Sequence, residues 1–128
     1  MKILVVDNYD SFTYNLVHLI EKICITAKVT VVKNDAILLN DVEYFDKLIL
    51  SPGPGLPKDA GIMPLILKTY ASTKPIFGVC LGMQGIAQNF GADLKNLSQV
   101  CHGLATTIKV NQQHILFKNC TENFKVGR

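Results

Sequence analysis

Four short apolar runs, rich in β-branched residues, alternate along this chain with segments of helical periodicity. The runs predict strands at residues 2–6, 29–32, 47–50 and 76–79. The segments between and after them predict helices from about residue 12, at 62–70 and at 81–90. Strands that are joined through helices run in the same direction, because the chain must cross back before it re-enters the sheet. The alternation therefore predicts an α/β fold, a mostly parallel sheet with helices on both faces.

The first predicted helix carries an apolar stripe along one face. Helical spacing aligns four apolar side chains, namely Phe12, Leu16, Ile20 and Ile23. His18 falls off that stripe, and we expect it to lie in solvent. The helix start follows a turn at residues 7–11 that is rich in residues favoured at helix N-termini.

After Gly91 the sequence pattern changes. Residues 106–110 and 114–117 predict two shorter strands that form a hairpin across 111–113. Residues 125–128 have the pattern of a strand at its start. The length of 128 residues suits one domain, which we expect to span residues 1–128.

Composition and charge exclude several classes of protein. The chain is 48% hydrophobic and 18% charged, which argues against a disordered segment or a nucleic-acid-binding tail. Its net charge of +3 comes from scattered lysines, and Arg128 is its one arginine, so we expect no nucleic-acid partner. Asp7 interrupts the first apolar run before it is long enough for a signal peptide, and no run approaches a membrane span. We therefore expect no membrane partner.

The cysteine pattern predicts reduced thiols in the cytoplasm. Cys24, Cys80, Cys101 and Cys120 form no C-x-x-C pair and no His/Cys spacing typical of zinc, so we expect no metal site. Cys101 and His102 could form a metal-binding or catalytic pair. Neighbouring residues on a strand point to opposite faces, however, and that argues against the pair.

The segment 75–85 combines an apolar strand, a cysteine and a helix start. Cys80 has Gly78 two residues before it and Gly82 two residues after it. A strand that turns at once into a helix strains the backbone at its apex, so the flanking residues must lack bulk. Cys80 would then lie at a helix N-terminus, where unpaired N–H groups and the helix dipole favour the thiolate. The pattern predicts a nucleophilic cysteine, and the alternative is a buried structural cysteine at a strand-to-helix junction.

The loop 51–57 is the second feature with chemical meaning. Its prolines fix the backbone, while Gly53 and Gly55 allow another group to approach it. It follows the third predicted strand, and open α/β sheets bind ligands at the carboxyl ends of their strands. The Gly53 N–H can meet a developing oxyanion there, with the Leu81 N–H beside the nucleophile as second donor. A tight turn without a ligand is the alternative, and the expected adjacency to Cys80 argues against it.

Together these two segments resemble the motif pair of the class I, or triad, glutamine amidotransferases. The pair is SPGPG at residues 51–55 followed by GVCLGMQ at 78–84. The opening DNYDSFTYN at residues 7–15 is similar to the start of the subunits that serve anthranilate synthase and aminodeoxychorismate synthase. The similarity continues through residues 90–91 and 102–103 to the last residue.

The family resemblance implies a fold and an activity. The fold would be a flavodoxin-like α/β domain, of which these residues are the N-terminal part. The activity would be hydrolysis of glutamine to glutamate in a cytoplasmic subunit that passes ammonia to a chorismate-binding synthase subunit. No metal and no organic cofactor are implied.

The resemblance also implies roles for particular residues. Cys80 would be the nucleophile that forms a γ-glutamyl thioester, and Gly53 and Leu81 would supply the oxyanion-hole amides. The glutamine site would be lined by Gly53, Pro54, Gly55 and Leu81. Gln84, in the first turn of the elbow helix, would contact substrate, although the residue alone would be interpreted as an exposed helix glutamine.

Two departures from the family pattern matter. Met83 stands where close relatives often have histidine, although methionine is familiar elsewhere in the class. The catalytic histidine and glutamate of a His-Pro-Glu signature are expected beyond Arg128, and His18, His102 and His114 lie in no such signature. We therefore expect the 128-residue chain to be inactive alone. The rival interpretations are another thiol hydrolase with a G-x-C-x-G elbow and a catalytically incomplete binding paralogue.

Overall fold

Four parallel strands form the main sheet of the molecule. They are β1 (Lys2–Asp7), β2 (Lys28–Lys33), β3 (Lys47–Leu50) and β4 (Ile76–Gly78). Their order in the sheet is β2-β1-β3-β4, and each pair of neighbours is parallel. This computed structural model describes residues 1–98 and 103–127. The predicted parallel α/β fold is confirmed.

Three α-helices flank this sheet. Helix α1 (Thr13–Ile23) connects β1 to β2, α2 (Met63–Tyr70) connects β3 to β4, and α3 (Leu81–Asn89) follows β4. The chain moves along the sheet in one direction from β1 to β2 and in the opposite direction from β3 to β4. Because such crossovers are right-handed, α1 and α2 lie on opposite faces.

The two faces of the sheet are covered to different extents. On one face, Leu4 and Leu50 are fully buried in a core shared with residues of α2, with Leu81 of α3 and with a 3₁₀ helix at Leu39–Tyr44. On the other face, α1 and residues of β3 and β4 line an apolar cavity, and Phe77 of β4 remains 51% exposed. Leu50 and Phe77 therefore have very different surroundings, although both belong to neighbouring strands of one sheet.

The predicted apolar stripe of α1 is confirmed in part, because three of its four residues line the apolar cavity between α1 and the sheet. Thr13 and Val17 are the buried residues of the helix, whereas Phe12 and Ile23 are 63% and 70% exposed. The Thr13 hydroxyl donates to an Asp7 carboxylate oxygen at 2.9 Å, and this bond fixes the rotation of the helix about its axis.

The chain divides into two compact units, residues 1–94 and 95–128, and the second unit contains a small antiparallel sheet. Its strands are β5 (Ala105–Lys109) and β6 (Asn123–Gly127). The strand predicted at 106–110 is therefore confirmed in its main part, and the strand expected from 125 begins at Asn123. The expectation of a single domain over 1–128 stays a prediction.

The strand predicted at 114–117 is wrong, because Ile115–Phe117 forms a 3₁₀ helix. His114 begins it: its N–H donates to the Asn111 carbonyl at 3.0 Å, and its Nδ1 accepts from the Leu116 N–H at 3.3 Å. These local bonds satisfy backbone and side-chain groups within the turn, so the apolar run does not need a partner strand. The pair Cys101 and His102 lies outside the described residues.

Among residues 1–98 and 103–127, no helix combines the length and the apolar composition that crossing a bilayer requires. In the same two ranges, no cluster of three or more His, Cys, Asp and Glu side chains could hold a metal ion.

Candidate active site

Cys80 lies at a sharp turn between β4 and α3. Its backbone has φ +50° and ψ −105°, a region that L-residues with a side chain rarely adopt. The turn is anchored on both sides, since the Val79 N–H donates to the Leu50 carbonyl at 3.0 Å and the Gln84 N–H donates to the Cys80 carbonyl at 2.9 Å. The predicted strained elbow is confirmed, and Cys80 at its apex is exposed to solvent.

The glycines on either side of the elbow are required by close backbone packing. A Cβ at Gly78 would overlap the backbone of Gly82 and Met83. A Cβ at Gly82 would overlap the Leu50 carbonyl oxygen and lie 2.6 Å from the Leu50 Cβ. The expectation that both positions must lack bulk is therefore confirmed, and the reason is contact among β3, β4 and α3.

The loop 51–57 begins at the end of β3 and reaches the start of α3. The Ser51 N–H donates to the Val6 carbonyl at 3.1 Å, which holds the loop against β1. A Cβ at Gly53 would lie 2.8 Å from the Leu81 Cδ2 atom and 2.6 Å from both the Cβ and the carbonyl oxygen of Asn8. The structure thus brings together Gly53 and Leu81, the two residues expected to supply oxyanion donors.

The second half of this loop is open. Pro54 and Gly55 are both exposed, and Gly55 has φ +74° with no heavy atom within 4 Å of the place where its Cβ would stand. Gln84 lies in the first turn of α3 and is half-buried. Of the residues expected to bind substrate, Pro54 and Gly55 therefore lie on an exposed rim beside the elbow, whereas Leu81 is buried.

A buried asparagine supports the loop, and sequence reasoning assigned it no role. Asn8 is 2% exposed and follows β1, as Asn34 follows β2 and Ser51 follows β3. Its Nδ2 donates to the Ser51 carbonyl at 2.9 Å, and its Oδ1 accepts from Asn34 Nδ2 at 3.0 Å. The signal was present in the sequence, because polar residues that follow parallel strands meet at one edge of the sheet.

The carboxyl edge also contains a buried carboxylate, Asp7. Burial by itself raises the pKa of this group. Hydrogen bonds from Lys33 Nζ at 2.6 Å, Thr13 Oγ1 at 2.9 Å and the Asp10 N–H at 3.2 Å outweigh burial, so the pKa lies below its ordinary value. The ion pair in turn raises the pKa of Lys33, mainly through its hydrogen bond to the carboxylate. Asp7 therefore connects the end of β1 to the end of β2 through Lys33 and to the start of α1 through Thr13.

Tyr9 adjoins this ion pair and has φ +63°, which is unusual for a bulky residue. Its hydroxyl donates to the Asp35 carboxylate at 2.8 Å, which raises the pKa of Tyr9, and Lys33 Nζ lies 4.5 Å from its ring centre. Tyr9 and Asp35 line an open cavity of about 340 Å³ whose lining also includes Pro54 and Leu81. The predicted site therefore borders a cavity large enough for a small molecule.

The fold and this edge define an α/β protein with an exposed cysteine at a nucleophile elbow beside a glycine-containing loop. The family model for Glutamine amidotransferase class-I matches residues 4–128. The chain belongs to the class I glutamine amidotransferase family, as the motif pair and the opening segment predicted.

Named relatives agree with this assignment. Anthranilate synthase component 2 of Lactococcus lactis subsp. lactis is 44% identical over 127 residues, which are 98% of this chain and 63% of the relative. Aminodeoxychorismate/anthranilate synthase component 2 of Bacillus subtilis is 44% identical over 109 residues, which are 84% of this chain and 55% of the relative. The chain thus spans about three fifths of the length of the curated relatives it matches.

The fold of this chain also matches that of a solved structure. The crystal structure of a proposed GMP synthase protein from Thermoplasma acidophilum has a TM-score of 0.81 and 26% sequence identity to this chain. The match covers 99% of this chain and 63% of that protein. It supports the parallel sheet and its flanking helices as the shared architecture.

Proposed function

We propose that this chain carries the nucleophile and the oxyanion hole of a glutaminase subunit. The observation that carries the proposal is the strained elbow at Cys80, with Gly53 packed against Leu81 directly beside it. Strain of this kind persists only where the surrounding structure enforces it, and it is concentrated at functional sites. A merely structural cysteine would require neither the exposure of Cys80 nor its backbone conformation.

The proposed reaction begins with attack of the Cys80 sulfur on the side-chain amide carbon of glutamine. A carbon–sulfur bond forms, and the amide oxygen, now negatively charged, accepts hydrogen bonds from the Gly53 and Leu81 N–H groups. Collapse of this intermediate breaks the carbon–nitrogen bond, and the nitrogen, which takes up the proton that the Cys80 thiol lost, leaves as ammonia. Water then cleaves the thioester to give glutamate and the free thiol.

The substrate would lie on the exposed rim. We assign Pro54 and Gly55 to the wall of the glutamine site, with Gln84 as a polar contact from α3. The open space around Gly55 supports this assignment, because a loop that approaches a ligand closely needs a residue without a side chain. The reaction as proposed uses no metal and no organic cofactor.

The proton-transferring base is not assigned to any histidine of this chain. His18, His102 and His114 lie outside a His-Pro-Glu signature. We therefore propose that the 128 residues alone turn glutamine over poorly, because removal of the base in triad hydrolases costs several powers of ten in rate.

The partner that receives the ammonia is, we propose, a chorismate-binding synthase subunit. The support is the names of the relatives, which are second components of anthranilate synthase and of an aminodeoxychorismate/anthranilate synthase. The free thiols of Cys24, Cys80 and Cys120 are consistent with the cytoplasm, where we propose that this chemistry takes place.

A glutamine-derived chloroketone tests the proposed nucleophile. In the 128-residue chain it should alkylate Cys80 before Cys24, Cys101 and Cys120, with a rate that saturates as its concentration rises. Peptide mapping by mass spectrometry measures the labelled positions, and excess glutamine should slow the reaction. Cys80→Ser is the matched control, since it removes only the sulfur. Equal labelling of all four cysteines would overturn the proposal.

A further inference from the structure

We propose that Ser51 and Asn8 are positioning residues that set the direction of the Gly53 N–H. The inference deepens the proposed function and rests on it, because it assigns the support of one oxyanion donor. The relevant hydrogen bonds run backward from Gly53 to the ends of β1 and β2.

The peptide unit between Pro52 and Gly53 contains both the Pro52 carbonyl and the Gly53 N–H. Its C=O and N–H groups lie in one plane and point in opposite directions, because the bond is trans. The Ser51 hydroxyl donates to the Pro52 carbonyl oxygen at 2.6 Å. A bond that holds this oxygen therefore also fixes the direction of the Gly53 N–H.

Ser51 is itself held by hydrogen bonds from Asn8. The Asn8 N–H donates to Ser51 Oγ at 2.8 Å, so the hydroxyl accepts from β1 and donates to the loop. The Asn8 side chain also donates to the Ser51 carbonyl at 2.9 Å. Ser51 is fully buried and Asn8 nearly so, and water therefore cannot readily replace these partners.

Contacts to Asn34 and Met63 hold the Asn8 side chain in place. Asn34 Nδ2 donates to Asn8 Oδ1 at 3.0 Å, and Asn8 Nδ2 also lies 3.5 Å from the Met63 sulfur. The carboxamide is thus held from β2 on one side and from α2 on the other. Gly53 in turn packs against Asn8 and Leu81, so loop and elbow share one rigid support.

Ser51→Ala tests the chain of bonds most directly. It deletes the hydroxyl that holds the Pro52 carbonyl and leaves Cys80, Leu81 and the outer loop unchanged. In the proposed alkylation the Cys80 sulfur bonds to the methylene carbon, chloride leaves and the thiol proton passes to solvent, while the ketone oxygen takes the place of the substrate oxygen between the Gly53 and Leu81 N–H groups. We expect the limiting rate of this reaction to fall about tenfold in Ser51→Ala, less than the roughly 100-fold that loss of an oxyanion donor costs. The concentration for half-maximal rate should change less than about twofold, since ground-state binding is kept.

Iodoacetamide supplies the second readout. It alkylates the thiol by direct displacement: the sulfur bonds to the methylene carbon, iodide leaves and the thiol proton passes to solvent. This reaction does not require the oxyanion hole, so its rate at Cys80 should be the same in Ser51→Ala and in the unchanged chain. A merely structural role for Ser51 would disturb the elbow and change both rates together.

Asn8→Ala is the second variant, and it should also lower the rate at which the chloroketone alkylates Cys80. Ser72→Ala and Asn15→Ala are matched controls at exposed positions and should leave both rates unchanged. If Ser51→Ala fails to fold, as shown by loss of a cooperative thermal transition, Asn34→Ala tests the same support from β2.

The outcomes separate the two proposals. Saturable labelling of the unchanged chain with an unaltered limiting rate in Ser51→Ala and Asn8→Ala would overturn the positioning role and leave the glutaminase proposal intact. Absence of saturable labelling in the unchanged chain would overturn the proposed function itself. A selective fall in the chloroketone rate supports both.

Discussion

The loop 51–57 has two halves with opposite surroundings. In the locked half, residues 51–53, Ser51 is fully buried and a Cβ at Gly53 would overlap Asn8 and Leu81. In the open half, residues 54–55, both residues are exposed and nothing lies within 4 Å of the Cβ position of Gly55. Each half has a glycine, but the reason for glycine differs.

The two halves of this loop differ in packing, and they therefore suit different roles. Gly53 is required because neighbouring atoms leave no room, which keeps its amide in one place relative to Leu81. Gly55 is required by its positive φ, and the space beside it is free for a ligand. A donor needs fixed geometry, whereas a substrate pocket needs access, and under the proposed function the locked and open halves would supply these separately.

The largest effect is expected from Gly53→Ala. The added methyl must displace Asn8 or Leu81, so the Gly53 amide leaves its position, and kcat for the proposed glutamine hydrolysis, measured with the chain extended through a His-Pro-Glu segment, should fall about 100-fold. Gly55→Ala is the matched change in the open half, and its effect on kcat should be at least about tenfold smaller. Steady-state glutaminase kinetics measure both. Equal losses of kcat would show that the two halves do not differ in function.

Asp7→Asn tests the support beneath the locked half and should cost about 1.5 kcal/mol in the free energy of unfolding. The figure is that of one hydrogen bond to a charged group, kept low because solvent screens the half-exposed Lys33. Urea unfolding measures it, and Asp41→Asn, at an exposed position, is the control. A loss no greater than in Asp41→Asn would mean that the ion pair contributes nothing to stability.

The same variant predicts a pH dependence. The folded state lowers the pKa of Asp7, so its contribution is present above the unfolded value of about 4 and is lost as pH falls through the folded value. The unfolding free energy of the unchanged chain should therefore decline in acid more steeply than that of Asp7→Asn. Parallel curves would contradict the lowered pKa.

Much of the fold could be predicted because its signals are local. The strand at Lys47–Leu50 and the helix at Leu81–Asn89 lie within one residue of their predicted bounds, since apolar runs and flanking glycines mark them in the sequence. The region 114–117 could not be predicted, because its apolar residues suit a strand while His114 and Asn111 close a local turn. There, side-chain bonds outweighed apolar patterning.

The candidate site was predictable in its chemistry but not in its support. Cys80 with its two glycines has a spacing that a strand-to-helix elbow demands, and the structure has that elbow. Asn8, by contrast, lies far from Ser51 in sequence, and only the order of the strands brings the two together. The polar residues that follow the strands are visible in the sequence, but which of them form hydrogen bonds to each other depends on the strand order, which the sequence pattern alone does not give.

Gly55→Val tests the open half alone. A β-branched side chain would fill the space proposed for glutamine, so KM for glutamine should rise about tenfold with little change in kcat, a difference of about 1.4 kcal/mol in binding. Gly91→Val is the matched control, because Gly91 also has a positive φ, +90°, and open surroundings. Both variants strain the backbone, but only the first should alter KM. Unchanged glutamine kinetics in Gly55→Val would mean that the open half is only a turn.

The smallest effect is expected from Gln84→Ala, at the edge of the open half. A neutral hydrogen bond to substrate that is kept in the transition state contributes about 0.7 kcal/mol, so KM for glutamine should rise about threefold at constant kcat. Gln88 lies one turn later on the exposed side of α3, and Gln88→Ala should change neither constant. A fall in kcat without a change in KM would instead assign Gln84 to the transition state, and with it to the fixed geometry of the locked half. Identical kinetics for the two glutamine variants would remove Gln84 from the substrate site.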